Sequence, residues 1–127
     1  MNRLNEIEAL ANAATEGPWF PNRYSDDWEV CGELDDNGNP ALVASEAVET
    51  DAEFIAHART DVPDMAAALR AVLEVHQDGG ESQGYLDDGH YGDIPHCCTE
   101  CGSLGEYGVP WPCATVAAIR RHLGGDL

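Results

Sequence analysis

The chain predicts an α+β fold: a small antiparallel sheet of two to three strands packed by about four helices, with a C-terminal loop and helix held together through cysteines. Three features carry that expectation. Apolar residues recur at helical spacing in four segments, an Asn37-Gly38 pair stands between two alternating runs, and four of the five cysteines fall between residues 97 and 113. With 127 residues, one domain is expected over 1–127. Its core is expected to be thin, because only 24 residues are Val, Ile, Leu or Phe while 17 are Ala.

The first helix follows from Leu4, Ile7, Leu10, Ala11 and Ala14, and Gly17-Pro18 ends it. Trp28, Val30 and Leu34 alternate with Glu29 and Glu33, and Asn37-Gly38 turns that run back toward Ala41 to Ser45 as a hairpin. Thr50 with Glu53 forms a capping box for a short second helix, in which Phe54, Ile55 and Ala58 share a face. Asp61 and Pro63 open a third helix, whose inward stripe runs Met65, Leu69, Val72, Leu73 and His76. Residues 77–96 hold five Gly and five acids, which predicts a long flexible loop. Pro112 opens a last helix with Cys113, Val116, Ala117 and Leu123 on one face, Arg120, Arg121 and His122 near its negative end, and Gly124-Gly125 as the stop.

Charge excludes several functions. Six Arg and no Lys against 24 acids leave a net charge of -18, which repels phosphate and anionic lipid, so neither direct nucleic-acid binding nor membrane attachment is expected. The longest purely apolar run, Met65 to Leu69, is far short of the roughly 20 residues that span a bilayer. The first twenty residues contain Glu6, Glu8 and Glu16 and no apolar stretch of signal-peptide type, so the chain reads as cytoplasmic and its thiols as reduced.

In that setting His96-Cys97-Cys98-Thr99-Glu100-Cys101-Gly102 points to a metal. Cys98 and Cys101 form a C-x-x-C knuckle with a glycine after it, and Cys113 sits at a helix N-terminus, where the dipole favours a thiolate. His76 ends the inward face of a helix and is the expected fourth ligand. His122 is nine residues beyond Cys113, about 13.5 Å along a helix, and is excluded with it. His90 or His96 could replace His76, and Cys97 could replace Cys98. The ion expected is Zn2+, and its role structural, because four ligands close a tetrahedron whereas catalytic zinc keeps a position open. A redox C-x-x-C, or reduced cysteines without a ligand, is the plainer reading. Cys31 reads as a small hydrophobe.

No catalytic residues are assigned. The base-deaminase pattern fails because Arg59 stands where His57-Ala58 would need a Glu, and Pro112-Cys113 lacks its second cysteine. A zinc-dependent hydrolase of a small or nucleotide substrate is the enzyme alternative; it requires an open position beside Glu100 or Glu106. The acidity is most simply a solvated surface. Read more sharply, the pairs Asp26-Asp27, Asp35-Asp36 and Asp87-Asp88 could meet a basic protein, or mimic DNA toward a nucleic-acid-binding one. Trp19, Tyr24, Trp28 and Trp111 are expected to serve as core or lid.

Two stretches carry a resemblance. Ala14-Thr15-Glu16-Gly17-Pro18-Trp19, followed by Asp51-Ala52-Glu53-Phe54-Ile55-Ala56-His57-Ala58, resembles the A-T-P-G-P-W and N-A-x-F-I-A-x-A patterns of the Ead-type early-region proteins of temperate bacteriophages. Glu16 and Asp51 depart from that pattern at turn and capping positions. Residues 59–76 and Trp111-Pro112-Cys113-Ala114-Thr115 look like small actinobacterial and actinobacteriophage proteins. The resemblance implies a phage or prophage accessory protein; together with the charge and the missing catalytic signature, it leads to the expectation of a non-enzymatic protein that binds and modulates a host protein in the host cytoplasm.

Overall fold

A computed structural model describes residues 2–103 and 107–124. The fold is α+β: among the described residues, three helices and two small sheets. It divides into two compact units, one of Asn5–Ala67 and one of Ala68–Leu127 together with the first four residues.

In the first unit, α1 (Arg3–Ala13, less its first two residues) precedes three antiparallel strands, β1 (Phe20–Tyr24), β2 (Asp27–Leu34) and β3 (Pro40–Ala47), in the order β1-β2-β3. The expected turn at Asn37-Gly38 joins β2 to β3. Asp35 N–H donates to the Asn39 carbonyl, Gly38 N–H to the Asp35 carbonyl, and the Asp35 carboxylate accepts from Asn37 and Asn39 N–H. Gly38 has φ of 82°, which is why a glycine stands there. Val30, Ala52 and Ala56 form the core, with Trp19, Trp28 and Ile55 packed on it. Trp19 donates its indole N–H to the Thr15 carbonyl, which also accepts from the Arg59 guanidinium lying over the Trp19 ring.

Where two helices were expected between residues 50 and 76, there is a single helix, α2 (Glu49–Val75), with Pro63 inside it. A proline there removes one i to i-4 hydrogen bond, yet the inward stripe Ala52, Ala56, Arg59, Pro63, Ala66, Arg70, Leu73 keeps its three- and four-residue spacing straight through it. A break would have thrown half of that stripe out of phase. The buried positions are Ala52, Ala56 and Ala66, while Phe54 and Met65, expected on the inward faces, are exposed.

In the second unit, residues 77–96 are not simply a loop. They carry β4 (Ser82–Tyr85) and β5 (Tyr91–Ile94), paired antiparallel. With β6 (Cys97–Ser103) and β7 (Tyr107–Pro110) they make a four-stranded sheet of order β5-β4-β7-β6, in which β4 and β7 run parallel. Glycine makes that crossing possible: a Cβ on Gly84 would collide with the Gly108 carbonyl, and one on Gly108 would come within 2.8 Å of Cys97 Sγ. The helix α3 (Ala114–Leu123) follows, with Gly124 at its end; Gly125, the second glycine of the expected stop, lies outside the described residues.

Candidate metal centre

Three elements of the second unit converge on one point. At the end of α2, His76 N–H still donates to the Val72 carbonyl, and the chain then runs at once into a ladder with β6: Thr99 N–H donates to the Gln77 carbonyl, Gly79 N–H to the Cys97 carbonyl, and Cys97 N–H to the Gly80 carbonyl. This ladder brings His76 beside the knuckle. On β6 the register slips between Cys97 and Gly102, so Cys98 and Cys101 both turn toward the histidine. Gly102 closes the knuckle with φ of 103°. The third thiol comes from Cys113, which stands at the N-cap position of α3.

The distances are those of a coordination shell. His76 Nδ1 lies 3.4 Å from Cys98 Sγ, 3.5 Å from Cys101 Sγ and 3.6 Å from Cys113 Sγ. Nitrogen and sulfur donors bound to one tetrahedral ion at usual bond lengths stand about 3.5 Å apart. All four donor atoms lie within 4.8 Å of one another, and the cysteines are not disulfide-bonded, so the four side chains can hold a metal ion. Cys98 and Cys113 are buried, and with Val116 they constitute the buried core here, with Leu73, Val109 and Trp111 packed around them.

The electrostatics separate the thiols. Burial raises the Cys98 thiol, but the N–H groups of Cys101 and Glu100 and the side chains of His76 and Cys113 outweigh it and hold its pKa at about 7. Cys101 is pushed up to about 12, first by burial and then by Cys113 and Cys98, with which it competes for negative charge. A cation held among the sulfurs would favour their thiolate forms.

The alternative ligands sit elsewhere. His90 Nδ1 pairs with Asp88 at 3.2 Å and His96 Nδ1 with Asp78 at 2.8 Å. Cys97 is buried but directs its sulfur at the Ile94 carbonyl, 3.9 Å away. Cys31 is buried in the first unit, where burial and then the Glu29 charge raise its thiol. Of the two acids that an open hydrolytic site would use, Glu100 has an exposed side chain and Glu106 lies outside the described residues. The sequence had no signal for Thr99, which binds the knuckle to the helix end: its hydroxyl donates to the Val75 carbonyl at 2.8 Å and accepts from Gln77 N–H at 3.0 Å.

Compared with known protein families, curated proteins and solved structures, the chain matches none. Among the described residues no helix is long and apolar enough to cross a membrane.

Proposed function

We propose that His76, Cys98, Cys101 and Cys113 bind Zn2+ as a closed structural centre, in a non-enzymatic bacteriophage or prophage accessory protein that binds and modulates a host protein. The observation that carries the zinc reading is the set of three sulfurs at 3.4 to 3.6 Å from one imidazole nitrogen. Three thiolates and an imidazole are the soft and borderline donors zinc prefers, and four protein donors leave no position for a catalytic water. The ion would supply cohesion that the buried residues of this unit, two of them ligands themselves, cannot supply by apolar burial. The protein purified without chelator is expected to carry one zinc per chain by elemental analysis and to melt at lower temperature once the metal is stripped. Metal-free protein that melts identically with and without a strong chelator overturns the reading.

The host-directed role rests on the phage-like stretches and on the charge of -18. A negative surface favours a basic partner and steers it over distance, and such a contact weakens as salt screens it. A pull-down from actinobacterial lysates should retain a partner at low salt and release it as salt rises. Retention of nothing across several hosts overturns this part of the reading.

A further inference from the structure

The second unit carries a row of three tyrosines that neither its core nor its metal centre uses. On β4 and β5, Tyr85 pairs with Tyr91, and their rings meet edge to face with centroids 5.4 Å apart. On the other side of β4, β7 brings the Tyr107 ring to 6.3 Å from Tyr85. The three residues are 62 %, 51 % and 41 % exposed, although this unit has little apolar material to bury. Beside the row opens a cleft of about 710 Å³. Tyr91 and Tyr107 line it with Ser82, Gln83 and two carboxylates, Glu81 and Glu100, its wall continues along the cysteine knuckle from Cys97 to Gly102, and among the described residues no Lys, Arg or His lines it.

We propose that this cleft takes the arginine side chain of a basic partner segment, an inference that rests on the host-binding reading above and names the surface it would use. A guanidinium suits both parts of the lining. Its plane is weakly hydrated and stacks on tyrosine faces, while its fork of donors fits a carboxylate. Lysine offers a point charge and no plane. The bases of a nucleic acid could also stack on tyrosine, but its phosphates would meet two carboxylates and a strongly negative chain.

The test is binding of a fluorescently labelled peptide of alternating glycine and arginine to the full, metal-loaded chain, beside the same peptide with lysine and a labelled oligothymidine. The arginine peptide should bind more tightly than the lysine peptide, and the oligothymidine should not bind. Glu81→Gln with Glu100→Gln should weaken arginine binding more than Glu33→Gln with Glu53→Gln, which removes two exposed charges from the first unit. Tyr107→Leu should weaken it about threefold, the value of one exposed stacking contact. Equal binding of the arginine and lysine peptides, equal losses from the two double variants, or binding of the oligothymidine would each overturn the proposal. If the Glu81→Gln, Glu100→Gln chain still retains its host partner at wild-type salt sensitivity, the cleft is the wrong surface and the host-binding reading stands. If the wild type retains no host protein but binds the arginine peptide as described, only the host-binding reading fails.

Discussion

The Thr99 hydroxyl donates to the Val75 carbonyl across 2.8 Å, and this one bond ties the middle of the cysteine knuckle to the residue just before His76. The same hydroxyl accepts from Gln77 N–H, just after His76. Thr99 therefore brackets the histidine on both sides while itself standing between Cys98 and Cys101. Groups that orient ligands in this way govern metal affinity without touching the ion.

Thr99→Val keeps the shape of the side chain and removes both bonds. It is expected to weaken metal binding by about 10- to 100-fold, the usual cost of losing an outer-shell partner, while leaving the number of bound ions unchanged. Competition against a chelator of known affinity measures this. Thr99→Ser keeps the hydroxyl and should recover most of the loss; a serine variant as weak as the valine one would show that the hydroxyl is irrelevant.

Neighbouring cysteines should behave in opposite ways. Cys98→Ser removes a sulfur 3.4 Å from the imidazole, whereas Cys97→Ser alters a buried thiol directed at a strand carbonyl. Tetrahedral cobalt in place of zinc reports thiolate ligands by its visible absorption. The Cys98→Ser spectrum should lose thiolate character, and the Cys97→Ser spectrum should match the wild type. A one-residue slip in the ligand set would exchange the two results.

The carboxyl of Asp88 is held below its ordinary 3.8, first by His90 N–H and then by the His90 side chain. A lowered folded-state value means that the stabilisation is fully present above pH 3.8 and disappears as pH falls through the lowered value. The His90 amide resonance should thus titrate with a midpoint under 3.8 in NMR spectra. Asp88→Asn, which retains an acceptor but cannot ionise, should abolish that titration. A midpoint at or above 3.8 would contradict the bond.

The four side chains that lie close enough to hold a metal ion were legible in the sequence because each has a chemical or periodic reason to be where it is. Cys98 and Cys101 have their spacing, Cys113 its helix start, and His76 the end of an inward stripe. What separated His76 from His90 and His96 was invisible there: Asp88 and Asp78 occupy the rival imidazoles. The second sheet was harder to see. In its first hairpin, Leu86 N–H donates to the His90 carbonyl and Gly89 N–H to the Leu86 carbonyl, the same pattern as Asp35 to Asn39. Asp88-Gly89 therefore carried the signal that Asn37-Gly38 did, but the flanking strands are four residues long and depend on glycine for the close approach of β4 to β7. Strands defined by a missing Cβ lack the β-branched signature by which strands are recognised. Pro63 misled in the other direction, since a continuous stripe outweighed one lost hydrogen bond.

The two cores imply that metal removal acts unevenly. Val30, Ala52 and Ala56 hold the first unit together with no metal ligand among them, while Cys98 and Cys113 are two of the three buried residues in the cluster around the metal centre. Stripping the ion removes the bonds that would join His76, Cys98, Cys101 and Cys113 at that second cluster, and local stability follows local packing. Hydrogen exchange after chelation should therefore rise sharply in β6, β7 and the first turn of α3, and far less in β2 and β3. Restoring zinc should restore protection in the same amides. Equal loss of protection in β2 and β6 would mean that the ion supports the whole chain, and no change in β6 would mean that it supports neither unit.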